Sequence, residues 1–373
     1  MKRFACFVFA AALFSCTQPS EILPEESGAE PFELSAGGLA RMFASLPMEP
    51  SHLREVHDAV GASSFNGYDE EYTLDRMFDK PGAGVGPVTR SVSYERPLRD
   101  LVKEYLEEHP ATRSGVEDIM EMLSASGYQL YWPYSEDWDG ETYPVITFDP
   151  GFGAESNYGY ALAPGLEGAV VVDTVEVTEA MAMTRPVWVV NSNDDSAFTP
   201  LELFKGKPAS VASPAARQRK LMLRSFKMLR NYDSWFGGAS EFFVKCGSVE
   251  GFSASTDAEL KLYSPSVTDF MIVVKRKYVG RDLPYEAILV TEFTSQLEKL
   301  AFLIVEDDGG TRTNWKCEAV VKIQSKSYGV SLDIPYNEKD DIVWRGQLSA
   351  RFFEEEDVVY GRFGDVVCSF ELE

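Results

Sequence analysis

The chain has 373 residues, of which 45% are hydrophobic, so it is long enough to bury more than one core and predicts two folded units. Its formal net charge is −24 at pH 7, and so acidic a surface repels nucleic acid and anionic headgroups. The composition therefore excludes a nucleic-acid partner and favours solubility or the binding of divalent cations.

Residues 1–15 are predicted to form a signal peptide. Lys2 and Arg3 precede an apolar run that is shorter than the ~20 residues a membrane-spanning helix needs. The next stretch, Leu13-Phe14-Ser15-Cys16, resembles the lipobox of bacterial lipoproteins. That resemblance implies cleavage before Cys16, a lipid on its sulfur, and a membrane partner bound through this lipid. An ordinary secretory signal and a cysteine within the apolar run are the alternatives.

Residues 16–33 are rich in proline and glutamate and poor in large apolar side chains. Such a segment cannot bury enough surface to offset chain entropy, so it predicts a disordered tether between the lipid and the first domain.

Residues 34–203 are predicted to form an α+β N-terminal domain. Up to Gly127 apolar residues recur at helical spacing, with Ser35 and Ser51 as candidate N-caps. After Gly127 the period becomes strand-like, and β-branched runs occupy residues 170–177 and 187–190.

All three histidines, His52, His57 and His109, fall in the helical part. Residues five apart on a helix point in different directions, so His52 and His57 cannot share a metal ion. We interpret them as surface histidines and predict no zinc site.

Aromatic residues are dense between Tyr128 and Tyr143. They predict either a core beneath a sheet or a platform on which sugar rings stack. Acidic residues at alternate positions near 136–140 and 191–195 predict solvated turns, with calcium loops as the alternative.

Residues 204–232 are predicted to be a linker. Proline, glycine and serine occupy 206–214. Six cations between Arg217 and Arg230 predict a basic segment that either docks against acidic surface of the same protein or forms a solvated helix between the domains.

Residues 233–373 contain about eight short apolar runs separated by turn signals, which predict an antiparallel β-sandwich, C2-like or Ig-like. C2-like sandwiches bind calcium at their tip loops. We therefore predict calcium ligands at Asp233, Asp307 and Asp308, with Asp340 and Asp341 as further candidates. A fully hydrated turn at Gly309-Gly310 is the competing interpretation.

The cysteines beyond the leader, Cys246, Cys317 and Cys368, are far apart and odd in number. They predict no compact disulfide or zinc framework. An exported protein could form one disulfide between two of these cysteines, but we interpret the three mainly as small buried hydrophobic residues.

The layout is similar to that of two-domain lipoproteins of the Bacteroidota cell envelope. In these, helices lead to a Tyr-Asp-rich turn, here Asn66-Gly67-Tyr68-Asp69-Glu70-Glu71-Tyr72, and a β-sandwich follows. The resemblance implies an anchor at the bacterial outer membrane or cell surface and a binding or interaction module with a protein or glycan partner.

A hydrolase acting on glycan or peptide is the alternative function. The nearest approach to a nucleophile elbow, Gly251-Phe252-Ser253-Ala254-Ser255, lacks the last glycine. The sequence therefore favours the binding module.

Overall fold

The computed structural model describes residues 32–78, 94–109, 115–193, 200 and 219–373. The predicted signal peptide, Cys16, nearly all of the tether and residues 204–218 of the predicted linker lie outside them. Among the described residues, no helix has both the length and the apolar character that crossing a membrane requires. Their architecture is α+β with an antiparallel sandwich, which confirms the predicted fold class.

The N-terminal region, residues 32–193, combines helices with short strands. Its described elements are α1 (Ala36–Ser45), α2 (Pro50–Phe65), β1 (Glu71–Thr73), α3 (Leu74–Phe78), α4 (Leu98–Glu108), α5 (Val116–Ser124), β2 (Tyr128–Tyr131), β3 (Val145–Phe148), β4 (Ser156–Gly165), β5 (Gly168–Thr178), α6 (Glu179–Ala182) and β6 (Val187–Ser192). The strands form one sheet in the order β1-β2-β6-β3-β4-β5, antiparallel except for β3 beside β6.

The centre of this sheet is buried on both faces, whereas the edge strand β5 is largely exposed. Along β6, Trp188 and Val190 join the core beneath the helices, whereas Val187 and Val189 point to the opposite face. Successive strand residues alternate between faces, so an uninterrupted apolar run fits only a strand covered on both sides.

Local signals explain where the first helices begin. The Ser35 hydroxyl accepts a hydrogen bond from Gly38 N at 3.1 Å, as predicted for an N-cap. The predicted cap Ser51 is wrong, because α2 begins at Pro50 and Glu49 N donates to His52 Nδ1 at 2.9 Å. Proline suits the first helical position since it has no N–H to leave unpaired.

The C-terminal sandwich spans residues 219–373. Its strands are β7 (Arg219–Met228), β8 (Ser240–Ser248), β9 (Ser266–Val274), β10 (Leu283–Phe293), β11 (Leu297–Glu306), β12 (Arg312–Ile323), β13 (Lys326–Asn337), β14 (Asp341–Ser349), β15 (Val358–Phe363) and β16 (Val366–Leu372). One sheet has the order β10-β7-β16-β15. The other has the order β13-β12-β11-β8-β9, with β14 also paired to β11.

The basic segment of the predicted linker belongs to the sandwich, so the predicted helix at 217–230 is wrong. Residues 219–228 form β7, which pairs with β10 on one side and β16 on the other. Leu221, Leu223 and Phe226 are buried in the sandwich core, while Arg224 pairs with Glu371 at its edge. The cations hid an alternating apolar pattern, and the sandwich begins at Arg219 rather than at Asp233.

The two regions contact each other through an apolar pair and a row of cations. Trp235 and Phe236, which follow β7, pack in the core on the open face of the N-terminal sheet. Three successive residues after β9 each contact a different acid of the N-terminal region: Lys275 with Glu70, Arg276 with Glu179 and Lys277 with Glu136.

A tight backbone approach completes this junction. The buried Asp69 carboxylate accepts from Ala239 N at 3.0 Å. Gly238 has a φ of 131°, and a Cβ there would lie 2.7 Å from Asp69 Oδ2. Only glycine fits this position, because both the dihedral angle and the space exclude a side chain.

Candidate metal centre

Carboxylates from two strands of the larger sandwich sheet and from the segment between β7 and β8 meet at one end of that sheet. Asp233 follows β7, Glu241 is the second residue of β8, and Glu306 is the last residue of β11. The ladder places Glu306 between Phe242 on β8 and Asp341 on β14. Sheet register, rather than proximity in sequence, therefore assembles the cluster.

Asp233, Glu241 and Glu306 each offer an oxygen, and the three oxygens lie within 4.8 Å of one another. Calcium binds oxygens at about 2.3–2.6 Å, so two ligands of one ion are separated by at most about 5 Å. Glu306 is 1% exposed and Glu241 is 6% exposed. The spacing therefore fits a single hard cation at the edge of the interior.

Burial makes the negative charges of this cluster costly. It raises the pKa of Glu306 well above its usual range, and the neighbouring Asp233 raises it further. Burial also raises the pKa of Asp233, opposed by its hydrogen bond with Glu306 and by the Arg276 guanidinium. Two like charges in a medium of low dielectric require a proton or a cation between them.

Two oxygens in the cluster lack donors. Within the described ranges, Glu306 Oε1 and Asp233 Oδ2 are buried and have no hydrogen-bond partner. The nearby Arg276 donates from its guanidinium to the backbone oxygen of Asp233 at 3.0 Å and to the Glu179 carboxylate. An unpaired buried carboxylate oxygen is the atom that a cation, or a proton shared by the two acids, would satisfy.

The remaining predicted ligands lie beside the cluster rather than within it. Asp307 Oδ1 accepts from Gly309 N at 3.0 Å and from Asn337 Nδ2 at 3.1 Å, so it holds two turns together. Partial burial raises the pKa of Asp308 to about 6, helped by the negative charges of Asp233 and Asp341. Asp340 faces Asp307, and burial raises its pKa to about 6 as well.

The acidic loops thus converge, but the three-oxygen group differs from the predicted ligand set. Asp233 belongs to it, and Asp307 and Asp308 form its surroundings. Glu241 and Glu306 are not among the predicted ligands, although the run Glu306-Asp307-Asp308 at a strand end is what suggests calcium. Glu241 lies near the start of β8 and Glu306 at the end of β11. Their one sequence signal is that each is an acid at the boundary of an apolar strand.

The loop at 136–140 behaves as a turn. The Thr142 hydroxyl donates to Asp139 Oδ2, and Thr142 N and Glu141 N donate to Asp139 Oδ1 at 2.8 and 2.9 Å. Together these hydrogen bonds lower the pKa of Asp139 to about 2. In the second loop, Asn191 donates to the Phe236 and Gly237 carbonyls at the junction, and residues 194–195 lie outside the described ranges.

The prediction of surface histidines is wrong for His52, which is 1% exposed. Burial lowers the pKa of His52, so the neutral ring is favoured. His57 is half-buried and packs against Trp132 and Trp138, with ring centroids 5.6 and 5.2 Å apart. The aromatic cluster belongs to the cores or packs against them: Tyr131, Trp132 and Tyr143 are buried, and Tyr128, Tyr134 and Trp138 are half-buried.

The cysteines match their interpretation in two of three cases. Cys246 and Cys368 are buried and Cys317 is half-buried, and all three are free. Burial raises the pKa of each thiol, which suits an inert packing role.

The Ser253 segment forms no nucleophile elbow. Tyr263 OH bridges the backbone of Ser253, accepting from its N at 3.2 Å and donating to its O at 2.8 Å. The three histidines lie in the N-terminal region, and His52 and His57 are packed there against Glu49 and two tryptophans.

A wide depression of about 900 Å³ lies over α2 and α4. Its cations Arg96 and Lys103 are both paired with glutamates, Glu104 and Glu117. Paired exposed charges contribute little to binding, so this surface is a weaker candidate than the carboxylate cluster.

No protein-family model, no curated protein and no solved structure matches this chain, so its function has to be argued from its own residues.

Proposed function

We propose that this protein is a lipid-anchored binding module of the bacterial cell envelope, and that its sandwich binds calcium through Asp233, Glu241 and Glu306. The calcium proposal rests on three carboxylate oxygens that lie within 4.8 Å of one another. Two of the three residues, Asp233 and Glu306, also have a buried oxygen that lacks a hydrogen-bond partner among the described residues. Calcium prefers oxygen ligands and is abundant outside the cell's reducing interior.

The cluster has a clear physical reason to take up a cation. Each carboxylate that leaves water loses hydration, and its neighbours repel it. A divalent ion removes the repulsion and supplies each oxygen with a partner. The exposed Asp308 and Asp341 add negative potential around it, which attracts cations from solution.

Thermal unfolding of the purified full chain tests calcium binding. We expect the melting temperature to rise in millimolar calcium and to fall in excess chelator, because a ligand of the folded state adds about 2.7 kcal/mol at a hundredfold excess over its Kd.

The matched variants are Glu306→Gln in the cluster and Glu338→Gln on the neighbouring exposed turn. Glu306→Gln should melt higher than the wild type without calcium, since the amide carries no buried charge, and should lose the calcium response. Glu338→Gln should keep it. Equal melting temperatures of the wild type in calcium and in chelator would refute the site and favour a proton shared by Asp233 and Glu306.

Fractionation of cells that express the full chain tests the anchor. We expect the wild type in the membrane fraction because the leader residues before Cys16 resemble a lipobox, and acylation supplies the apolar attachment. Cys16→Ser should leave an uncut precursor or release the protein. The matched control Cys6→Ser should behave as the wild type. Equal membrane retention of processed Cys16→Ser protein would contradict lipidation.

A further inference from the structure

A second, smaller cavity lies in the N-terminal region, between the turn after β2 and the loop that joins α6 to β6. Its volume is about 120 Å³, and its lining includes Trp132, Trp138, Asp137, Arg185 and Pro186. Pockets for drug-sized ligands hold ~300–1,000 Å³, so this cavity suits one ring-sized group.

The aromatic wall is held rigidly. The ring that a ligand can contact is Trp138, which is half-buried. Trp132 is 1% exposed and backs it, because its ring packs on Trp138 and Trp188 with centroids 5.3 and 5.6 Å apart. The indole Nε1 of Trp138 donates to Thr142 O at 2.9 Å. Rings fixed from behind cannot collapse into the cavity, and a preformed site loses little entropy when a ligand binds.

The polar groups of the cavity call for a ligand that both donates and accepts hydrogen bonds. Arg185 is half-buried and lines the cavity, so its guanidinium supplies N–H donors there, although its Nε is buried and, among the described residues, has no hydrogen-bond partner. Asp137 is exposed at the same cavity and offers a carboxylate acceptor, while Asp139 adds a second negative charge.

This charge pattern selects among ligand classes. A small anion would meet Asp137 and Asp139, and a cation would meet the guanidinium of Arg185. A purely apolar ligand would offer no hydrogen-bond partner to the guanidinium of Arg185 or to the carboxylate of Asp137. A neutral ring with hydroxyl groups on its rim and an apolar C–H face satisfies the arginine, the carboxylate and the tryptophans together.

We propose that this cavity binds one neutral sugar ring, such as the terminal unit of a glycan. The apolar face of the sugar packs against the tryptophan wall, one hydroxyl accepts from Arg185 and another donates to Asp137. The site is separate from the carboxylate cluster, so it stands or falls independently of calcium binding.

Tryptophan fluorescence and calorimetric titration of the full chain test it, with glucose, galactose, mannose and N-acetylglucosamine as probes, in calcium and in chelator. We expect at least one sugar to bind, with affinity at least tenfold lower in Arg185→Gln and in Asp137→Asn. Arg281→Gln, an exposed arginine of the sandwich, is the matched control and should bind as the wild type does.

Absence of binding by all four sugars would overturn the proposal, as would loss of binding in the control equal to that in the variants. Preferential binding of acetate or of a short neutral peptide would also overturn it. Asp137 is exposed, so Asp137→Asn should keep the wild-type melting temperature and provides the decisive comparison if Arg185→Gln fails to fold.

Discussion

At the scale of single residues, the core contains buried acidic side chains that hold neighbouring elements together through hydrogen bonds. Glu55 on α2 is 6% exposed and accepts from Leu98 N at 2.7 Å and from Tyr72 OH at 3.3 Å. It fixes the start of α4 from a neighbouring helix. Burial raises the pKa of Glu55, although these two hydrogen bonds oppose the shift.

This shift gives stability a defined dependence on pH. Because the folded pKa of Glu55 lies above the unfolded value, the folded state binds more protons between the two values, and its stability falls as pH rises through them. We expect the unfolding free energy of the wild type, measured relative to Glu55→Gln by urea denaturation, to decrease from pH 4 to pH 7.

Glu121→Gln, on the exposed face of α5, is the control for the loss of one surface carboxylate. The difference in unfolding free energy between the wild type and Glu121→Gln should change little from pH 4 to pH 7. A constant difference between the wild type and Glu55→Gln would show that the Glu55 carboxyl titrates normally in the folded protein.

At the scale of elements, β7 shows how cations conceal a strand. Its basic residues point outward or along the sheet edge, while Leu221, Leu223, Phe226 and Met228 are fully buried. It pairs on both sides, which a solvated helix could not do. The run at 259–262 is the opposite case. It is one of the apolar runs that predict strands, but its residues form a 3-10 turn.

Truncation of a core side chain on β7 tests its role. Phe226→Ala should lower the unfolding free energy by about 3–5 kcal/mol, the usual cost of removing a buried phenylalanine. Lys220→Ala, an exposed position on the same strand, should change it by less than about 0.5 kcal/mol. Guanidinium denaturation of the full chain provides the measurement. A small effect of Phe226→Ala on the unfolding free energy would favour the solvated linker over a buried strand.

At the scale of the whole molecule, the described parts of the two regions are joined by a contact that is both apolar and charged. Trp235 and Phe236 cover one face of the N-terminal sheet, and the Arg276 guanidinium binds Glu179 through two hydrogen bonds of 2.7 and 3.2 Å. Tyr134 OH donates to the same glutamate at 3.2 Å, so one carboxylate serves both regions. Independent unfolding of the two regions, expected from a flexible linker, is disfavoured by this junction.

Removal of the central cation tests the coupling. Arg276→Gln should lower the unfolding free energy by about 1–3 kcal/mol, between the values for exposed and buried pairs, since the arginine is 10% and the glutamate 27% exposed. Adding Glu179→Gln to this variant should recover part of the loss, because no unpaired carboxylate then remains. Arg281→Gln serves as the control, and an Arg276→Gln curve that superimposes on that of the wild type would contradict the coupling.

The sequence by itself determined the fold class and most helix and strand positions, because hydrophobic period and turn residues act locally. The lipid anchor and the envelope location rest on sequence alone and stay predictions. Only the tertiary structure decided that β7 belongs to the sandwich, that the acid-rich loops converge with Glu241 and Glu306 beside Asp233, and that Arg185 and Trp138 line one cavity. These features depend on sheet register and on contacts between residues far apart in the chain, such as Glu306 beside Phe242 and Arg276 beside Glu179. The spacing of residues along one strand does not predict these contacts, because they depend on which strand lies next to it in the sheet.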